Sequence, residues 1–124
     1  MRTAAILLLV CFIVGCGQKS PKPVSFREDI QPILANRCVK CHGTGIAEGN
    51  IVLTSYETLM ASRTISGKKP LVISEKPGES WLYILSATNQ PHFRMPPDTT
   101  NLTPLPQQEL ELISRWITQG AKNN

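Results

Sequence analysis

Apolar residues recur along the chain in several distinct patterns, and each predicts a different element. Ala4 to Val14 is an unbroken apolar run behind the single positive charge of Arg2. It is too short to span a bilayer and matches the hydrophobic region of a signal peptide. A buried core helix is the competing reading, but a run apolar on every side at the very start of a chain, followed by Gly and Pro, argues against it. Further on, Ile30, Ile33 and Leu34 share one helical face. Two N-caps compete for that helix: Ser25, with Glu28 three residues later, and Asp29. Pro32 selects Asp29, because with Ser25 as cap the proline would lie in the helix interior at a cost of about 3 kcal/mol. The first helix is therefore predicted over residues 29 to 41.

Thr54 or Ser55 opens a short second helix through Met60. Pro77-Gly78-Glu79-Ser80 turns into a third at Trp81 to Leu85. Gly67 to Glu75 reads as loop, with one short extended piece at Leu71 to Ile73. The last helix has Thr103 as N-cap and Pro104 at its first position. Its stripe is Leu110, Ile113 and Ile117 with Leu112 and Trp116 beside it, and Gly120 closes it. The sum is an all-α chain of about four helices joined by long Gly- and Pro-rich loops.

A length of 124 residues bounds the chain to one domain and excludes a multidomain enzyme. The net charge of +4 is mild and no like-charge run exceeds Lys68-Lys69, so nucleic acid is excluded as a partner. Loops this long in so small a domain ordinarily wrap something, and a large apolar prosthetic group would complete the core.

Ile13-Val14-Gly15-Cys16 resembles the lipobox of bacterial lipoproteins, whose Cys becomes the lipid-modified first residue. The division that follows is a signal peptide over 1–15, a tether over 16–24 and a folded domain over 25–124. Gly17 to Pro23 has no large apolar residue, as a semi-extended tether requires. A plain secretory signal would instead strand Cys16 as an odd exposed thiol. Gln18 rather than Asp follows two residues after Cys16, which by resemblance to lipoprotein sorting favours the outer membrane. The protein is expected on the periplasmic face of a membrane, anchored through Cys16.

Cys38-Val39-Lys40-Cys41-His42 is C-x-x-C-H, the attachment signature of c-type haem. On a helix the three residues share a face, so both thiols reach the haem vinyl groups while His42 turns to the iron. Gly43 ends the helix where a side chain would crowd that approach. A Cys38–Cys41 disulfide remains an alternative. A thioredoxin-like site lacks its βαβ context, and a zinc site lacks its second C-x-x-C pair. The distal ligand must come from far along the chain. Met95, followed by two prolines, offers a thioether. His92 is the rival, and an iron left open is the third case. Met60 falls at a packing position.

Arg94 is a candidate partner for a haem propionate or a solvated cation. Trp81, Tyr83 and Trp116 either face the haem or fill core. Arg63, Lys68, Lys69 and Lys76 form a candidate docking rim for an acidic redox partner. No nucleophile–base pair or carboxylate dyad presents itself, so an electron carrier is expected rather than an enzyme.

Together these residues resemble the planctomycete-type cytochrome c domain, from Phe26 to Ala121. The resemblance rests on Phe26 to Leu34 ahead of Cys38 to Gly43, on Leu53 to Met60, on Lys76 to Tyr83 and on Arg94-Met95-Pro96-Pro97. Leu102-Thr103-Pro104 and Arg115 to Ala121 complete it. It implies a class I-like helical fold, one covalent haem c held by Cys38, Cys41 and His42, and Met95 as distal ligand. It also implies single-electron transfer to a redox partner protein, or a non-catalytic haem subunit of a larger oxidoreductase. Two departures stand out: Glu48-Gly49-Asn50 where Gly-Gly is usual, and Pro106 early in the final helix.

Overall fold

The computed structural model describes residues 22–124; the predicted signal segment, Cys11 and Cys16 lie outside the described residues. Four α-helices run in chain order: α1 (Gln31–Arg37), α2 (Tyr56–Ala61), α3 (Trp81–Ala87) and α4 (Gln107–Thr118). The described residues contain no strand, only two isolated bridges, His42 with Ala47 and Arg63 with Pro70.

The N-terminal helix corrects the expected cap. Ser25 accepts the Glu28 N–H at 3.2 Å, and Asp29 reaches back to accept the Ser25 N–H at 2.8 Å. Phe26–Ile30 winds as a π-turn, with the N–H groups of Asp29 and Ile30 both on the Ser25 carbonyl at 3.0 and 3.3 Å. The wider turn reconciles Ser25 with Pro32: α-winding starts only at Gln31, which puts the proline in the first turn of α1, where its missing N–H has no partner to lose.

The second helix starts as expected. Ser55 accepts the Thr58 N–H at 3.2 Å while Thr58 Oγ1 accepts the Ser55 N–H at 3.0 Å, a reciprocal capping box. Helix α4 begins later than expected, because Pro106 bars α geometry at Leu105 and itself becomes the N-cap. Thr103 is thereby released from capping and its hydroxyl accepts from Arg37 Nη1 at 3.2 Å. Its end is the expected one: Gly120 sits at φ 99°, its N–H on the Ile117 carbonyl at 3.0 Å and the Ala121 N–H on the Trp116 carbonyl at 2.9 Å.

The core lies where the N-terminal segment crosses α4. Ile30 and Leu34 meet Leu59, Ile113, Trp116 and Ile117, all nearly or fully removed from solvent. Phe26 packs edge-on against Tyr56 at 5.2 Å and tilted against Trp116 at 5.6 Å. The polar tips are satisfied by the C-terminal segment, with Trp116 Nε1 donating to the Lys122 carbonyl at 3.0 Å and Tyr56 OH to the Ala121 carbonyl at 2.9 Å.

Leu71 and Val72, in the stretch expected as a short extended piece, are buried and belong to no strand. Leu71 instead bridges two segments, donating to the Ser62 carbonyl at 3.2 Å and accepting the Leu82 N–H at 2.9 Å. Ser80, fully buried at the head of α3, ties the same loop down: its hydroxyl accepts the Ile73 N–H at 2.9 Å and donates to the Lys76 carbonyl at 2.8 Å. Ser80→Ala removes the acceptor of the part-buried Ile73 N–H and the donor to the Lys76 carbonyl, and is expected to cost about 1 kcal/mol in chemical denaturation.

Candidate haem-binding site

The C-x-x-C-H segment is not a continuation of α1, which ends at Arg37. It is a separate turn in which the N–H groups of Cys41 and His42 both point at the Cys38 carbonyl, at 3.1 and 2.9 Å. The turn brings Cys38 and His42 to one cavity, whereas Cys41 stands outside its wall, so the shared face expected of a helix is realised for two of the three side chains. Gly43 is buried, and a Cβ there would stand 2.6 Å from the Val39 carbonyl oxygen. The crowding it avoids in this structure is thus with its own chain.

His42 is held on two sides. Its carbonyl accepts the Leu53 N–H at 2.8 Å, and its ring Nδ1 lies 3.0 Å from the Glu48 carbonyl oxygen. A carbonyl can only accept, so Nδ1 carries the hydrogen and Nε2 is left with a free lone pair. Outer partners of this kind fix tautomer and ring orientation in metal-binding histidines. The Glu48 carbonyl is presented by a tight turn with Gly49 at φ 67° and Asn50 at φ 59°. Asn is among the few non-glycine residues that enter this left-handed region readily, which is why Gly-Asn can stand where Gly-Gly is usual.

One cavity of about 490 Å³ lies against this turn, well within the range of cofactor sites. Cys38, His42 and Met95 all line it. The rest of its wall is mainly apolar, from Ile51, Leu53, Leu71, Trp81, Leu82 and Leu85. Met95 is positioned by its N–H, which donates to the Leu85 carbonyl at the end of α3 at 2.8 Å. His92 is exposed and lies outside the cavity wall. Cys41 is half-buried and does not contribute to the wall. A soft thioether, a free imidazole nitrogen and a thiol around an apolar void are a donor set that fits an iron porphyrin.

Cys38 and Cys41 are free thiols, and among the described residues no group of three or more His, Cys, Asp or Glu is placed to hold a metal ion. Burial pushes the Cys38 thiol up to about 12; the nearby Glu109 carboxylate adds to this and Arg37 opposes it. Those two residues form a contact that sequence reading missed. Arg37 grips Glu109 with two nitrogens, Nε at 3.0 Å and Nη2 at 3.1 Å, fastening the residue before Cys38 to α4.

The aromatic candidates divide. Trp81 lines the cavity, whereas Tyr83 and Trp116 do not, and Trp116 belongs to the core. Met60 packs against the core as expected. Arg94 pairs with Asp98 and stands outside the cavity wall, its Nε buried without a partner. The basic rim is partly engaged within the chain. Arg63 Nη1 donates to the carbonyls of Met60, Ala61 and Ser62 at 3.0 Å each, and Lys76 pairs with Glu79 at 3.2 Å.

No curated protein and no solved structure matches the chain. Residues 38–99, half of its length, match the family model described as planctomycete cytochrome C. The matched stretch starts at the first cysteine of the attachment turn and runs past Met95, so it contains every residue of the cavity wall. The chain belongs to the planctomycete cytochrome c family.

Proposed function

We propose that this protein is a lipid-anchored monohaem cytochrome that passes single electrons on the periplasmic face of a bacterial membrane. Membership of the family already implies covalent haem c and haem-based electron transfer. The observation that carries the finer reading is the convergence of Cys38, His42 and Met95 on one apolar cavity, with His42 Nε2 left free by the Glu48 carbonyl.

Bound there, haem iron supplies the one-electron chemistry. Cys38 and Cys41 would hold the group through thioethers, and His42 Nε2 and Met95 Sδ would be the residues offered to its iron. The cavity's apolar side chains exclude water from the ligands. A low dielectric disfavours the more highly charged oxidised state, which acts with a thioether ligand to raise the potential. The Leu85 carbonyl, by accepting from the Met95 N–H, fixes the backbone from which Met95 reaches the cavity.

Anchoring rests on Cys16 and the apolar run before it. Among the described residues no helix is long and apolar enough to cross a membrane. In a Gram-negative host, Cys16→Ala is expected to abolish lipid labelling and membrane retention of the mature protein. Fractionation with a labelled fatty acid reads this out, and undiminished labelling of the variant would refute the anchor.

The second reading makes the chain a haem subunit of a larger oxidoreductase. It is favoured by two large apolar side chains outside the cavity wall and open to solvent, Ile46 at 59% and Phe93 at 61% exposure. The native mass of the complex released from its own membrane by mild detergent decides between carrier and subunit.

A further inference from the structure

A porphyrin placed in this cavity brings two carboxylates with it, and a carboxylate taken from water needs a cation or N–H donors in exchange. Lys69 is the one lysine or arginine in the cavity wall. It is exposed, and its ammonium lies 5.3 Å from the centre of the Trp81 ring, which lines the same wall. The loop carrying it is closed: Arg63 bridges Pro70, and the Thr64 N–H donates to the Lys69 carbonyl at 2.8 Å. Among the described residues Lys69 has no carboxylate partner and the Trp81 indole N–H has no acceptor. The other polar side chains of that loop in the wall, Thr64 and Ser66, are paired with each other at 3.1 Å. Glu48, the one carboxylate in the wall, is not paired with Lys69. A cation without a carboxylate partner therefore stands over the ring of Trp81 in the wall of a mainly apolar cavity.

We propose that Lys69 and Trp81 form the seat for a haem propionate, Lys69 supplying the counter-charge and the Trp81 indole N–H a directional hydrogen bond. This rests on the haem reading above. The seat has an electrostatic consequence: its positive charge opposes the added charge of Fe(III), so its loss favours the oxidised state and lowers the potential. It also distinguishes Lys69 from its neighbour Lys68, which is exposed and outside the cavity wall.

The test is a potentiometric titration, at fixed pH and ionic strength, of the exported holoprotein and its variants. Lys69→Gln should lower the midpoint potential, Lys69→Glu should lower it further, and Lys69→Arg should hold it near the parent value. Lys68→Gln should move it less, because Lys68 lies outside the cavity wall that Lys69 lines. Trp81→Phe keeps the ring and removes the N–H, and should shift the propionate carboxylate band in the oxidised-minus-reduced infrared difference spectrum. Equal shifts for Lys68→Gln and Lys69→Gln, or carboxylate bands unmoved by Trp81→Phe, would overturn the seat while leaving the haem reading intact. A colourless parent chain would overturn both.

Discussion

Met95→Ala is expected to leave the protein coloured, with its haem still covalently held, while the weak red absorption of methionine–iron ligation disappears and the midpoint potential falls. Axial ligation spans about 0.8 V across haem proteins, and loss of a thioether is expected to move the potential on the order of 0.2 V downward. The reason is local. Met95 lines the cavity and is tethered to Leu85 by a 2.8 Å hydrogen bond, so truncation removes the sulfur without freeing the loop to offer another. Water or a small exogenous ligand then takes the position, and the variant should bind imidazole or cyanide far faster than the parent. His92→Ala is the matched control. His92 lies three residues away but is exposed and off the cavity wall, so its removal should leave spectrum and potential unchanged. The reverse pattern would make His92 the ligand.

The second large effect is expected from Cys38→Ser combined with Cys41→Ser, which should abolish covalent haem altogether. Serine cannot form the thioether, and noncovalent retention would depend on His42 and Met95 alone. Stability should fall with attachment, because a cavity of about 490 Å³ then loses the apolar group that fills it. A loss of at least about 3 kcal/mol in denaturant unfolding is expected, the scale of deleting a large core aromatic. The two positions are not equivalent: Cys38 lines the cavity beside the Arg37–Glu109 grip, whereas Cys41 is outside the wall. Cys38→Ser alone should therefore disturb the haem environment more than Cys41→Ser alone. Circular dichroism and the absorption spectrum of the denatured chain report the two quantities separately.

Much of the site was legible because its chemistry is carried by residue identity at short range. C-x-x-C-H specifies its own turn, and Met95 precedes two prolines that exclude a helix there. Helix α4 was readable from its stripe and Gly120, since a repeating apolar face leaves little choice of packing. The errors have physical causes. Ser25 and Pro32 looked incompatible only while α geometry was assumed throughout, and the π-turn over Phe26–Ile30 removes the conflict. Pro106 outweighed Thr103 and Pro104 as the start of α4, because a proline constrains the residue before it as firmly as itself. The Arg37–Glu109 pair joins positions 72 residues apart, and no local pattern encodes such a meeting. The Glu48 carbonyl that orients His42 is a backbone atom, so nothing about the side chain at that position announces it. The family model covers 38–99; the N-terminal segment and α4, both outside it, were legible as separate apolar stripes, but periodicity within each element does not encode that the two cross.

The most direct test of the central claim is the visible spectrum of the full chain, exported by a host with haem-attachment machinery, recorded oxidised, dithionite-reduced and again after denaturation. Sharp reduced bands whose colour stays with the denatured chain, together with the weak red band in the oxidised state, are the predicted result. A correctly exported but colourless chain, or colour that leaves on denaturation, would contradict it and return Cys38 and Cys41 to thiol or disulfide chemistry.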